Sequence, residues 1–393
     1  MTTFEAAKAM GYAALVEKIR EAGLKEYGLY PEPLMEKVFR ANAKKTDIYV
    51  YAGLNNADTD RALLVLLKDC AESVLSGIEI AAMLTGAKAS FLYLPEDETD
   101  LAEELKQAAS AHHVILVNDI INVREAEEDL IIHIAAAADL AALVDGTYEE
   151  GAWIVTDGKA KKVPADTKAG DLVSLEGAKA VWLGYQYYTP EEAASLTAGD
   201  ATNAVIRVIG NQECIVSDVQ KRMLADRKAS CGRCVFCREG LIQLEYMARE
   251  ITQARGKGGF IDLTKEISEP MPYSTLCSVG QESSKAAMSA VEKFGSEFEA
   301  HIKKNVCPAG VCQAFVHIYI DPAACTGCGE CIDVCPADCI EGKAKFIHMI
   351  DEFDCTRCGK CIDACEEEAI IKTSGKLPKL PNRLTKVGKF KKH

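Results

Sequence analysis

"CTGCGECIDVCP" (residues 325–336) and "CTRCGKCIDACE" (residues 355–366) are two versions of one pattern, thirty residues apart. Each has C-x2-C-x2-C-x3-C spacing. Three thiolates on a tight loop hold three corners of an iron–sulfur cube. The fourth cysteine, read as beginning a helix that points the other way, serves the cluster of the other half. One [4Fe–4S] cluster is therefore expected on Cys325, Cys328, Cys331 and Cys365, and a second on Cys355, Cys358, Cys361 and Cys335. Gly327, Gly329 and Gly359 let backbone N–H groups approach the sulfides. The competing reading is a zinc module. Eight cysteines in a crossed repeat, with no histidine inside either run, count against it.

Upstream, "SCGRCVFCREG" (residues 230–240) carries Cys231, Cys234 and Cys237, and the next cysteine is Cys277 in "STLCSVG". A C-x2-C-x2-C run with a remote fourth cysteine also fits a [4Fe–4S] site. A helix beginning near Arg238 puts the triplet at its N-terminus, where N–H groups stabilise an anionic thiolate cluster. Spacing alone leaves zinc open here.

The bulk numbers agree with metal-centred chemistry. The chain has 393 residues, a net charge of -14 and 48% apolar residues, enough for several domains with sizeable cores. The negative balance argues against nucleic acid as a partner, because phosphate binding needs a basic field. From Lys372 to His393 the sign reverses, with eight Lys or Arg and no Asp or Glu. That stretch reads as a solvated tail or as a strap on an acidic partner subunit. The first twenty residues alternate charge with alanine and do not read as a secretory signal. "DLIIHIAAAADLAALVDG" (129–146) is interrupted by His133 and Asp139 and reads as a buried helix, so no membrane span is expected and a cytoplasmic location is. Seventeen cysteines in a reducing compartment point to metal or catalysis rather than disulfides. Twelve fall in the three sets above, leaving Cys70, Cys214, Cys307, Cys312 and Cys339. Cys70 reads as core within an apolar helix spanning Arg61–Gly86, and Cys339 as packing near a cluster without ligating it.

Strand-like runs at 46–53, 88–95 and 112–119 alternate with helical ones, at βαβ spacing, which predicts a mostly parallel sheet. A helix is expected to start near Asp97 or Thr99, and a hairpin to turn at Asp157-Gly158. Residues 216–304 read as helical, with loops around 256–259 and 269–272.

The C-terminal repeat resembles bacterial two-cluster ferredoxins over residues 318–372, departing where Glu366 replaces the second proline. The motifs S-C-G-x-C-x-x-C-R-x-G (230–240), L-C-x-x-G (276–280) and F-x-x-E-F-x-x-H-I (294–302) resemble the iron–sulfur helical domain of the NADH-binding flavoprotein subunit of respiratory complex I. The same domain occurs in the β-subunit of electron-bifurcating [FeFe]-hydrogenases and in NAD-dependent formate dehydrogenases. The resemblance implies that Cys231, Cys234, Cys237 and Cys277 hold a [4Fe–4S] cluster, and the appended ferredoxin favours the hydrogenase branch. Cys214 matches a cysteine of those relatives. With His301, Cys307 and Cys312 of "HIKKNVCPAGVC" it offers four ligands for a structural Zn2+, the alternative being unrelated residues with ordinary buried thiols.

The family's N-terminal domain binds FMN and NADH through a loop of the form G-R-G-G-x-G-F-P. The corresponding stretch, residues 23–38, keeps only Gly23 and Gly28, and brings Glu26, Tyr27 and Tyr30 to a phosphate site. Asn56, Ala57 and Asp58 remain of a further family segment, "PEDETD" (95–100) replaces the nicotinamide contact, and Glu127 and Glu128 echo another segment in which Arg124 and Ala126 replace a glycine and its setting. Neither FMN nor NAD(H) is expected to bind tightly, although a flavin site rebuilt from other residues stays open.

The resulting expectation is an α/β N-terminal domain with a degenerate flavin-binding fold (1–175), a mixed connecting region (176–215), an all-α helical bundle with one [4Fe–4S] cluster (216–304), a linker with the candidate zinc site (305–317), an α+β two-cluster ferredoxin fold (318–372) and a basic tail (373–393). The expected function is electron transfer through three [4Fe–4S] clusters, within a multi-subunit oxidoreductase of an anaerobe, electron bifurcation being one form that such a complex takes. The resemblance implies a thioredoxin-like [2Fe–2S] subunit and a larger catalytic subunit as partners, with ferredoxin as a carrier. The alternative is an active FMN-containing NAD(H):ferredoxin oxidoreductase subunit. Twelve ligands in two modules suit a relay better than a redox sensor.

Overall fold

The computed structural model describes residues 2–28 and 31–390, so Tyr30 and the last three residues of the basic tail lie outside the described residues. Two compact units interleave along the chain. One comprises residues 1–210, 222–244 and 265–293, the other residues 211–221, 245–264 and 294–393.

The first unit opens with α1 (Thr3–Met10), α2 (Tyr12–Glu21) and α3 (Leu34–Asn42), followed by β1 (Tyr49–Gly53). The long apolar run after it is not one helix. It divides into α4 (Val65–Asp69) and α5 (Ala71–Thr85) at Cys70, which sits half-buried at the break with its thiol donating to the Leu66 carbonyl. Then come β2 (Ala89–Leu94), α6 (Thr99–Ala111), β3 (Val114–Asn118), β4 (Leu130–His133) and α7 (Ile134–Asp145). α6 starts after Glu98 with no side-chain cap, neither Asp97 nor Thr99 serving as one. The stretch 129–146 corrects the sequence reading too: "LIIH" is a strand and only the alanine-rich remainder is a helix. β-branched Ile131 and Ile132 suit the sheet, and alanines suit the helix.

The four strands form a parallel sheet in the order β3-β2-β1-β4. In β2, Ser90, Leu92 and Leu94 are buried, in the alternation a one-sided strand requires. On the other face Tyr49, Tyr51, Phe91 and Tyr93 form an aromatic array, Tyr51 stacking on Phe91 with centroids 5.5 Å apart. α5 and α7 pack so closely that a Cβ on Gly77 would fall 1.8 Å from the Ala137 carbonyl oxygen, so only glycine fits there. β1 leads outward to β2 and β3, and the chain then returns to place β4 on the other side of β1. The carboxyl ends of β1 and β4 therefore flank a topological switch point, the usual ligand crevice of such sheets.

A hairpin, β5 (Ala152–Thr156) and β6 (Lys159–Val163), turns at Asp157 and Gly158, both with positive φ. After α8 (Ala169–Leu172), β7 (Ala180–Leu183), β8 (Gln186–Tyr188) and, beyond α9 (Pro190–Ala193), β9 (Ile206–Ile209) make an antiparallel sheet in the order β8-β7-β9. The helical stretch follows as α10 (Ile215–Lys228), α11 (Val235–Thr252), α12 (Phe260–Ser268), α13 (Ser278–Lys293) and α14 (Gly295–Lys303). α11 starts at Val235, three residues before the expected Arg238, which puts Cys237 in its first turn.

In the second unit the cysteine repeat is two strand–turn–strand halves: β10 (Val316–Ile320), α15 (Glu330–Asp333) and β11 (Ile340–Glu341), then β12 (Met349–Ile350), α16 (Lys360–Asp363) and β13 (Ile370–Ser374). The halves interlock, β10 pairing with β13 and β11 with β12, both antiparallel. Cys335 and Cys365 do not begin helices as expected but follow the one-turn helices α15 and α16. Part of the tail packs on its own unit and is not wholly solvated. Ile347 N donates to the Thr385 carbonyl, Val387 N donates to the Lys345 carbonyl, and Phe390 packs on the ferredoxin core. Among the described residues, no helix is long and apolar enough to cross a membrane.

Candidate metal centres

In the first unit Cys231 and Cys234 lie in the loop before α11, Cys237 in its first turn, and Cys277 immediately before α13. The four sulfurs converge on two helix N-termini. Burial pushes the Cys237 thiol up to about 11, the Ser230 hydroxyl opposes this, and the sulfurs of Cys277, Cys234 and Cys231 add to it. Burial also raises Cys277, whose sulfur meets the N–H groups of Val279 and Gly280. Thiols crowded this way keep their protons until a cation replaces them, as metal binding requires. The Arg124 guanidinium lies 4.0 Å from the Cys234 sulfur, and the Ser230 hydroxyl 3.3 Å from that of Cys237. Neither residue stood out in the sequence; Arg124 registered only as a lost glycine.

The ferredoxin halves enclose two hollows. One, of about 290 Å³, is lined by Cys355, Cys358, Cys361 and Cys335, with Cys339 beside them. The other, of about 310 Å³, is lined by Cys325, Cys328, Cys331 and Cys365. Each therefore takes three cysteines from one run and the fourth from the other. Burial, then the neighbouring sulfurs of Cys325 and Cys328, pushes Cys331 up to about 12. Cys339 is 5% exposed and its sulfur lies 3.5 Å from that of Cys335. His348, which the sequence reading passed over, lines the second hollow, and burial holds its pKa below the ordinary value.

Cys214, His301, Cys307 and Cys312 are all buried, with one ligand atom each within 4.8 Å of all the others. The Cys214 sulfur is 3.4 Å from His301 Nε2 and 3.5 Å from the Cys312 sulfur. Around a tetrahedral Zn2+ with ordinary bond lengths, such pairs lie roughly 3.5–3.8 Å apart. The corners of a cube would splay the sulfurs further. His301 Nδ1 lies 2.8 Å from the Glu297 carbonyl, so that nitrogen carries the proton and Nε2 presents its lone pair to the sulfurs. Hydrogen bonding with Cys307 and Cys312 drives the Cys214 thiol up, and hydrogen bonding with Cys214 and Cys312 drives Cys307 down, leaving Cys307 the anion of the group.

The switch-point crevice behaves differently. Glu26 reaches into it, accepting N–H bonds from Tyr27 and His133, each at 2.9 Å, and a bond from Lys37 Nζ at 2.8 Å. Lys37 also donates to the Ile131 carbonyl. His133 Nε2 lies 3.2 Å from Asp58, which also accepts from the Tyr185 hydroxyl. A Cβ on Gly28 would fall 2.5 Å from the Asn55 amide nitrogen. Among the described residues, Tyr27 Oη and Asn55 Nδ2 are buried here without a hydrogen-bond partner, and both groups are neutral. A flavin phosphate does not fit these residues: it would bring a second negative charge beside the Glu26 carboxylate, which already takes the backbone N–H groups of Tyr27 and His133. The "PEDETD" segment is engaged as well, Asp97 and Glu98 pairing with Arg61, while Glu127 and Glu128 are exposed.

Residues 219–301 match the NADH-ubiquinone oxidoreductase-F iron-sulfur binding region, and residues 317–366 the 4Fe-4S dicluster domain. The chain is 38% identical over 141 residues to the NADP-reducing hydrogenase subunit HndC of Solidesulfovibrio fructosivorans, covering 36% of this chain and 29% of that one. It is 27% identical over 107 residues to the mitochondrial NADH-ubiquinone oxidoreductase 51 kDa subunit of Neurospora crassa, covering 27% of this chain and 22% of that one. These matches span under a third of the curated relatives' length. Among solved structures, a chain of the NAD+-reducing [NiFe]-hydrogenase in the H2-reduced state aligns with a TM-score of 0.63 at 16% identity, covering 77% of this chain and 65% of that one, a likeness of fold. The resemblance to complex I-type and hydrogenase-type subunits, with a ferredoxin domain at the C-terminal end, therefore holds, and the chain carries 4Fe–4S binding domains.

Proposed function

We propose that this chain is an electron-transfer subunit of a multi-subunit oxidoreductase and binds three [4Fe–4S] clusters and one structural zinc ion. Cys231, Cys234, Cys237 and Cys277 would hold one cluster, Cys325, Cys328, Cys331 and Cys365 the second, and Cys355, Cys358, Cys361 and Cys335 the third. Cys214, His301, Cys307 and Cys312 would hold zinc. When bound, the clusters supply one-electron transfer without proton or hydride chemistry. The chain's own groups set the conditions. Helix N-termini and Arg124 offset the thiolate charge, and the ferredoxin halves exclude water from the Cys331 and Cys361 sulfurs.

The observation that carries this reading is the crossed composition of the two ferredoxin hollows, each completed by a cysteine from the other repeat. The filled switch-point crevice supports the second part, that the subunit passes electrons without binding FMN or NAD(H) itself. It would then work with partners that do the substrate chemistry: a thioredoxin-like [2Fe–2S] subunit, a larger catalytic subunit, and ferredoxin as a carrier.

The test is iron, zinc, acid-labile sulfide and flavin content of the anaerobically purified full chain. About twelve irons, four per cube, with one zinc and no flavin are expected. About eight irons or fewer, or stoichiometric FMN, overturns the assignment.

A further inference from the structure

The two ferredoxin hollows are related by the thirty-residue repeat, and their walls correspond almost position by position. Ile350 in one stands where Ile320 stands in the other, and Ile340 where Ile370 does. The walls differ in polarity at several places: Glu330 and Glu367 line only the Cys325 hollow, Cys339 of the Cys355 hollow corresponds in the repeat to Ala369, and Ile318 of the Cys355 hollow stands where His348 lines the Cys325 hollow.

His348 is 2% exposed, with Nδ1 3.8 Å from the Cys325 sulfur. Its Nε2 is buried without a hydrogen-bond partner. The ring is held in place, because a Cβ on Gly342 would fall 1.9 Å from His348 Cδ2 and the glycine leaves room for it. A thiolate bound to iron can only accept, so a bond between the two requires the tautomer with the proton on Nδ1, which then donates to that sulfur. Burying an imidazole with one nitrogen unsatisfied costs free energy, which the isoleucine of the other half avoids.

Resting on the cluster assignment above, we propose that His348 is a tuning residue that donates an N–H bond to the Cys325 sulfur and sets this cluster at a higher potential than its twin. A donor to a thiolate stabilises the reduced, more negative state more than the oxidised one. Ile318 offers the twin no such bond. The twin has only the weaker S–H donor of Cys339 beside Cys335, and the difference in donor strength gives the two sites a downhill order.

The experiment is an anaerobic redox titration of the full chain by electron paramagnetic resonance, on wild type, H348I, H348Q and I318H, with iron counted on each. H348I is expected to lower one ferredoxin potential by the equivalent of a roughly tenfold change in the reduction equilibrium, about 60 mV for one electron. H348Q, which keeps an N–H donor, is expected to recover part of the shift. I318H is expected to raise the other potential. Unmoved potentials in H348I at full iron content overturn the proposal. If H348I cannot hold iron, I318H decides: a raised potential supports the proposal, and an unchanged one overturns it. A wild-type chain lacking the ferredoxin irons would instead sink the cluster assignment itself, a separate result.

Discussion

The switch-point crevice of the first unit and the thiol-lined hollows of the second are both buried and polar, yet they are built on opposite plans. In the crevice the charged groups are matched to one another: Glu26 with Lys37 and two N–H groups, and Asp58 with His133 and Tyr185. In the hollows, sulfurs of like character face one another, and burial raises the thiols of Cys331 and Cys361 rather than relieving them. A site that serves as its own ligand satisfies its charges internally. A site kept for a ligand concentrates donors that are costly to leave empty.

The largest effect should come from removing a donor that has no substitute. C331A is expected to lose the cluster of its hollow, about four irons of twelve, while the zinc count stays at one. Iron retained in full in C331A would break the comparison, because the hollow would then not need its donors. Next, C312A is expected to lose the zinc and, with it, on the order of 3 kcal/mol or more of stability, since metal binding is coupled to folding. Thermal unfolding with and without a chelator checks this: the chelator should lower the midpoint of wild type and leave that of C312A where it is.

On the crevice side, the exposures of Lys37 and Glu26 are 16% and 9%. E26Q strands a buried ammonium and should cost about 3–5 kcal/mol, as removing one partner of a buried pair does. It should not restore flavin binding, since Asn55 still packs against Gly28. Equilibrium dialysis against FMN tests that part: stoichiometric uptake by E26Q would mean that a phosphate site lies beneath the glutamate.

The cysteine runs are legible because covalent spacing sets their chemistry, and the parallel sheet because strand-like and helical runs alternate at βαβ spacing. Three features are not. The strand at Leu130–His133 is hidden because three apolar residues and one histidine running into an apolar helix show no change of period. The break at Cys70 has no proline or glycine to mark it. The roles of Arg124 and His348 depend on contacts with residues 110 and 23 positions away in the chain, which no local pattern encodes. Glu26 is the instructive middle case. Its departure from the family's glycine loop is legible in the sequence, and the structure adds its bonds to Tyr27, His133 and Lys37.

A smaller, pH-dependent effect sits in the first unit, away from the sulfurs. Burial raises Asp226 to about 7, with Thr59 and Arg222 opposing the shift and Asp60 adding to it. The unfolded carboxyl ionises near pH 3.9, so folding favours the protonated acid. Stability from this group is intact below about pH 4 and is lost as pH rises to about 7, at about 1.4 kcal/mol per pH unit. D226N keeps an oxygen for the Thr59 hydroxyl and cannot ionise. Its midpoint should therefore exceed that of wild type, by more at pH 8 than at pH 6. A gap that stays constant across that range would mean that Asp226 stays in one protonation state throughout it.

The smallest expected effect separates a ligand from its neighbour. Burial, then its hydrogen bond to Cys335, raises Cys339 to about 12, so it keeps its proton. Burial raises Cys335 as well but is outweighed by the N–H groups of Cys339 and Ala337, which hold this thiol below its ordinary value. Cys335 is thus prepared as the thiolate and Cys339 as its donor. At the equivalent place in the other half stands Ala369, and that hollow has only its four sulfurs. C339A is therefore expected to leave the iron count unchanged, whereas C335A loses the fourth corner. If C335A instead keeps four irons in that hollow and only the C335A/C339A double variant loses them, the fifth thiol is a ligand in reserve. The two hollows would then differ in what they can hold, and not only in how strongly they hold it.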